Sequence, residues 1–290
     1  MLVESWHKTT IILGFITAHT MLQFLTKTTL AFYLAITFNA FALSISPTRI
    51  ELNMQHKEEI LEIINETNQV RIYKIEYLFQ KMQENGSYTP VSYKEKAQLM
   101  QIQQYISFPA ENIKLQPNKS KKITLKFNSQ IPLQQKEYFA HILFKQLPTE
   151  EISHQQLPEN SDIAISAVPL FNIAIPVFVH YSHPKFAAQI TEIHFEKKTG
   201  FVKFKIENQC EYSPYGEITI SFFANNAITY QQKISGISIP KPLNTRAFHI
   251  QYPENLLKTS PPTRLEIKYK SYFVNDVPYV IGQNSIKISK

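Results

Sequence analysis

The side chains with the widest chemical range in this 290-residue chain are nine histidines and one cysteine, Cys210. Metal sites draw ligands from short, fixed spacings such as HExxH or CxxC, and neither occurs. His180 and His183 stand three apart in what reads as a strand, so they point to opposite faces. No metal and no cofactor is therefore expected. A nucleophilic cysteine needs a base or a cation beside it to hold its thiolate, and Cys210 has no recognisable histidine partner. GxSxG, the P-loop and GxGxxG are all absent. The triplets at Asn65, Asn85 and Asn118 fit a glycosylation pattern; in a bacterial chain they would be chance matches in turns. No residues support an enzyme.

Composition narrows the remaining classes. One cysteine allows no internal disulfide, so a core must stabilise the fold. The net charge is +7, from 30 basic and 23 acidic residues. The lysines are scattered along strands and turns rather than gathered in a block, which argues for a solvated surface and against nucleic-acid binding. Glycine is scarce, and Ile, Val, Tyr, Phe and Thr dominate the periodic segments, the mark of sheets.

What must position any functional group is then a set of strands, and Leu170 to Tyr181 is the most distinctive of them. Phe171, Ile173, Ile175, Val177 and Val179 alternate with Leu170, Asn172, Ala174, Pro176, Phe178 and His180, the period of a strand. Pro176 cannot donate to a ladder, which places the strand at a sheet edge. A long apolar edge invites another chain. Two readings stay open: an edge kept free to hold a partner, or a core strand with its proline at a bulge.

Other strand-like runs fall into two series. The first comprises Leu43 to Asn53, Glu59 to Asn65, Val70 to Phe79, Tyr105 to Leu115, Lys122 to Phe127, Tyr138 to Leu147 and the strand above. The loop marker Asn85-Gly86-Ser87 interrupts it, as does an aperiodic polar stretch from Thr149 to Asp162. His183-Pro184 reads as a hinge. The second series runs Gln189 to Phe195, Phe201 to Glu207, Glu217 to Phe223, Ile228 to Ile234, Thr245 to Gln251, Arg264 to Tyr272 and Val277 to Ile288. Short strands between regular turn signals predict an all-β protein. It would have two immunoglobulin-like β-sandwich domains, residues 43–183 and 184–290, joined at an angle by a short hinge.

The N-terminus reads as an export segment over residues 1–42. Lys27 precedes the apolar run Leu30 to Phe38, and Ala40-Phe41-Ala42 offers small residues for a signal peptidase. An uncleaved anchor is the other reading, and either Met1 or Met21 is the start.

Several stretches, in this order and spacing, resemble the periplasmic pilus chaperones of the PapD-like family, in the variant branch of chaperone–usher systems. Ile45-Ser46-Pro47-Thr48-Arg49-Ile50 resembles the first strand with its arginine. Tyr73 to Tyr77, Tyr105 to Phe108 with Leu115 to Ser120, and Glu137 to Phe144 resemble later strands, and Ile175 to Val179 resembles the end of the seventh. Ser213 to Glu217 and the segment around Gly236 and Arg246 resemble the second sandwich. The resemblance implies a non-enzymatic chaperone of the periplasm. It would complete an unfinished pilus subunit with its own strand, a mode known for this family, and deliver the subunit to an outer-membrane usher. It implies Phe171, Ile173, Ile175 and Val177 as donor residues; the alternation also allows Val177 and Val179 to face the chain's own core. It further implies Arg49 as an anchor for the subunit's terminal carboxylate, since a guanidinium binds a carboxylate bidentately. His180 stands where the family carries a second Lys or Arg, and Phe139 where the branch tends to carry Arg. Either the anchor is then weaker, or it depends on pH, or another residue contributes; the expectation is that His180 is a conditional, pH-dependent anchor. Charge reversal at Arg49 and a polar group at Ile173 would each abolish capture without unfolding, and the free protein would pair with itself. The alternative is a secreted two-domain structural or adhesion protein that has lost subunit handling.

Overall fold

The computed structural model describes residues 43–109, 112–148, 170–272 and 277–288. The export segment and the stretch Thr149 to Asp162 lie outside the described residues. Among those described, no helix is long and apolar enough to cross a membrane.

Two hydrophobic cores organise the chain, one drawn from Leu43 to Val179 and the other from Phe186 to Ile281. Each is enclosed by two sheets, the two-sandwich arrangement expected. In the first sandwich one sheet has the order β1 (Ser44–Ser46), β3 (Glu58–Ile64), β9 (Ser120–Phe127), β7 (Ile106–Ser107). The facing sheet has the order β2 (Ile50–Leu52), β11 (Asn172–His180), β10 (Glu137–Leu147), β4 (Arg71–Leu78), β8 (Ile113–Leu115). Alternation decides which side chains meet: Ile142, Phe144, Ile175, Val177 and Tyr73 all turn inward and are buried. Each large apolar side chain so buried contributes roughly 1.5–3 kcal/mol.

The second sandwich stacks β12 (Ala188–Glu196), β13 (Phe201–Asn208) and β16 (Thr245–Gln251) against β15 (Ala227–Ser238), β14 (Tyr215–Ala224), β17 (Arg264–Ser271) and β18 (Tyr279–Lys287). Its core is aromatic, with Phe222 and Tyr252 ring centres 4.6 Å apart.

Three features differ from the strand pattern read in the sequence. The run Leu43 to Asn53 is two strands, because Pro47 cannot donate to a ladder and the chain there crosses from one sheet to the other. The loop at Asn85 is the turn of a hairpin, β5 (Gln80–Met82) and β6 (Tyr88–Pro90). The run from Tyr105 to Leu115 holds two short strands, β7 and β8, rather than one, and it is preceded by a helix, α1 (Tyr93–Leu99), and a 3-10 turn over Met100–Gln104. The signal for α1 is a capping box: the Ser92 hydroxyl accepts from the Glu95 N–H, and the Glu95 carboxylate accepts from the Ser92 N–H. A second short helix, α2 (Glu254–Thr259), follows β16.

Candidate functional site

The candidate site has two parts, the free edge of β11 and the polar cluster at that strand's C-terminal end. β11 pairs with β10 over its whole length, from Asn172 opposite Lys145 to His180 opposite Glu137. On its other side only Val177 to Val179 are paired, in parallel with Ile50 to Leu52 of β2. Because the chain leaves this sheet before Ile50, nothing among the described residues pairs with the outer edge of Asn172 to Pro176. Pro176, at the end of that open stretch, has no N–H to offer. The start of the strand is pinned instead to β10: Gln146 donates its N–H to the Asn172 side chain at 3.0 Å, and Phe171 donates its N–H to the Gln146 side chain at 3.1 Å.

The four expected donor residues divide along the strand. Phe171 is 47 % exposed and free of the core. Ile173 is partly buried, packed against the first core. Ile175 and Val177 are 2 % and 0 % exposed. The donor assignment of these last two therefore needs correcting: their side chains fill the first sandwich's own core, opposite Ile142 and Ala140, and are not presented to a partner. Val179 does the same.

The even-numbered face of β11 carries the second part. Phe178 stacks on Phe139 of β10 with ring centres 4.7 Å apart, so the phenylalanine standing where an arginine was expected completes an aromatic layer. Arg49 lies between two rings, its guanidinium carbon 3.8 Å from the centre of Phe178 and 4.3 Å from that of Tyr215 on β14. Its Nε donates to Glu51 at 2.5 Å and its Nη1 reaches the Ser238 hydroxyl at 3.5 Å. The side chains of Arg49 and Glu51 are only 9 % and 3 % exposed.

His180 is fully buried. Its Nδ1 lies 3.4 Å from the Glu137 carboxylate and its Nε2 3.9 Å from that of Glu51. Glu137 in turn accepts the Ser213 N–H at 2.9 Å and the Ser213 hydroxyl. Ser213 accepts the Lys241 N–H at 3.0 Å. The expectation that Arg49 and His180 stand ready for an incoming carboxylate is thus altered: both already face carboxylates of this chain. Arg49 and His180 do share one cluster, bridged by Glu51.

Sequence reasoning missed Glu51 and Glu137. The signal for Glu51 is its spacing: it follows Arg49 by two where the chain enters β2, close enough for the carboxylate to meet the guanidinium. Glu137 had no local signal, because its partners Ser213 and His180 are brought to it by pairing and by the second sandwich.

Burial also acts on two aromatic neighbours of this layer. His141, 4.9 Å from Phe139 and 4.8 Å from Tyr88 between ring centres, is pushed down to about 4 by desolvation. Burial raises the Tyr88 phenol, an effect that Arg246 and Arg49 partly offset. Among the described residues no group of three His, Cys, Asp or Glu could hold a metal ion.

No protein-family model matches this chain, and no curated protein matches it. Solved structures do. The fold is similar to that of solved chaperones. The YadV chaperone aligns over 86 % of this chain and 100 % of its own, with 11 % identity and a TM-score of 0.43. The SafB chaperone of Salmonella enterica, solved with SafA pilin, aligns over 84 % and 97 %, with 11 % identity and a TM-score of 0.46. The Pseudomonas aeruginosa CupB2 chaperone aligns over 84 % and 98 %, with 11 % identity and a TM-score of 0.42.

Proposed function

We propose that this protein is a periplasmic chaperone that captures pilus subunits by lending them the N-terminal half of β11, and passes them to an outer-membrane usher. The observation that carries the reading is the unpaired edge of Asn172 to Pro176, entered by the exposed Phe171. An unpaired edge offers backbone donors and acceptors along one side, and an extended segment can add to it as a further strand. Phe171 and Ile173 are the side chains left to enter a subunit groove. Capture by strand addition uses no bond-breaking step, so neither nucleotide nor cofactor is called for. At high concentration two such edges of the free protein pair with each other, a pairing that dilution or an arriving subunit undoes.

A second reading is favoured by one observation. Arg49 and His180 already face Glu51 and Glu137, as in a cluster that serves only to hold the fold. On that reading the chain is a secreted structural or adhesion protein. Co-expression with candidate pilus subunits, followed by pull-down, separates the two. Capture that is lost in Phe171→Asp supports the chaperone. Absence of capture across the candidate subunits, with the edge paired only to itself, supports the alternative.

A further inference from the structure

The second sandwich turns a polar sheet face outward along β15, β14, β17 and β18. Alternation sends Ile218, Ile220 and Phe222 of β14 into the core, so Thr219, Ser221 and Phe223 lie on the outer face. Pairing sets their neighbours there. Thr219 stands between Lys233 of β15 and Lys268 of β17, and Ser221 stands between Gln231 and Glu266. The Gln231 amide donates to the Ser221 hydroxyl at 2.9 Å. Short side chains flanked by long ones leave a groove of about 340 Å³ along β14. Thr219 and Ser221 form its floor, Lys233 one wall, and Lys268 and Lys270 the other. Ile228, exposed and opposite Phe223, makes one end apolar.

Charge on this face is one-sided. Lys233, Arg264, Lys268, Lys270 and Lys287 share it with two carboxylates among the described residues, Glu217 and Glu266. Glu266 lies 2.8 Å from Lys268, and Glu217 lies 3.9 Å from Lys233. Ion pairs open to water contribute little, so both lysines can turn to an incoming acid. The outer face of the first sandwich is built differently. On β3 and β9, Glu58 lies opposite Lys126 and Glu62 opposite Lys122, so the charges cancel. The excess on the second sandwich is therefore local, and not the chain's net positive charge spread evenly.

The spacing of the lysines says what fits. Lys268 and Lys270 are two apart in a strand, about 6.8 Å along it. Side chains i and i+2 of an extended peptide repeat at the same distance. Lys233 and Lys268 are two strands apart, about 9.6 Å across the groove, which admits one extended chain. A flat bilayer would rest on the rims without reaching the floor.

We infer that this groove docks an extended acidic segment of a partner protein. Carboxylates at alternate positions face Lys268 and Lys270, Lys233 adds charge from the opposite wall, and an apolar residue meets Ile228 at one end. The surface is separate from the β11 edge, so no pilus subunit is needed to test it.

The test is fluorescence anisotropy of two labelled hexapeptides titrated with the full-length protein at constant ionic strength. One alternates three glutamates with threonine and ends on leucine; the other has the same residues with its glutamates adjacent. The alternating peptide is expected to saturate at a concentration at least tenfold lower than its isomer. Lys268→Gln with Lys270→Gln should weaken it at least tenfold while leaving the urea midpoint unchanged. Lys122→Gln with Lys126→Gln, which removes the same charge from the balanced face, should not weaken it. Absence of saturable binding, an isomer that binds as tightly, or equal weakening by the two double variants would overturn the proposal. So would phosphatidylglycerol vesicles that engage the same lysines in preference to the peptide.

Discussion

Val177 of β11 lies opposite Ile50 of β2 and is the first residue of its strand to be paired on that side; Pro176, before it, has no partner there among the described residues. One residue thus divides β11 into a half sealed within the first sandwich and a half whose outer edge is open.

That division sorts the effects of substitution. Phe171→Asp changes an exposed side chain and is expected to leave stability within about 0.5 kcal/mol of the parent while abolishing subunit capture. Val177→Asp buries an unpaired charge in the core and is expected to unfold the first sandwich. Urea denaturation beside pull-down of co-expressed subunits distinguishes the two. Equal losses of stability would show that Phe171 belongs to the core as well.

Charge reversal at Arg49, harmless to the fold when judged from sequence, is predicted to be destructive. It would set a second carboxylate against the buried Glu51. Even Arg49→Gln strands Glu51 and is expected to cost roughly 3–5 kcal/mol. The double variant Arg49→Gln with Glu51→Gln, which removes both charges, should recover much of that loss. Urea unfolding of the single and double variants measures the coupling, and additive losses would contradict it.

Ser213 joins the second sandwich to the first through Glu137. Ser213→Ala keeps the N–H to Glu137 but removes the hydroxyl donor to that carboxylate and the acceptor for Lys241. A hydrogen bond to a charged group contributes about 1.5–3 kcal/mol, and a loss of this size in thermal or urea unfolding is expected. An unchanged midpoint would mean that water replaces the hydroxyl without cost.

His141 makes stability depend on pH. Its folded pKa is about 4, below the ordinary 6.5, because burial disfavours the cation. Above pH 6.5 the ring is neutral in both states and exacts no penalty. As pH falls below 6.5 the unfolded chain takes up a proton that the folded chain refuses. Stability is therefore lost progressively down to about pH 4, by roughly 3 kcal/mol in the limit. His141→Phe should flatten that part of the stability–pH curve. A parent and variant with parallel curves from pH 6.5 to 4 would rule the assignment out.

Much of the architecture was legible because period-2 alternation fixes which face of a strand is apolar. Every strand of the second sandwich was found to within a few residues of its ends. The hairpin at Asn85 and the helix at Tyr93 were not: three-residue strands leave little period to read, and the Ser92–Glu95 cap was the available local signal. In the site, alternation placed Phe171, Ile173, Ile175 and Val177 on one face but not along the depth of the sandwich. That depends on where β2 begins, which is set by the crossing at Pro47. The partners of His180 were illegible for a similar reason, since Glu137 meets it only through the β10–β11 register.

The open edge itself is tested most directly by amide hydrogen exchange along Asn172 to Ile175 in the dilute free protein and in its complex with a pilus subunit. The account predicts that amides directed away from β10 exchange freely when the protein is alone and slow by about a hundredfold or more in the complex. Amides already protected in the dilute free protein, or equally fast with the subunit bound, would contradict it.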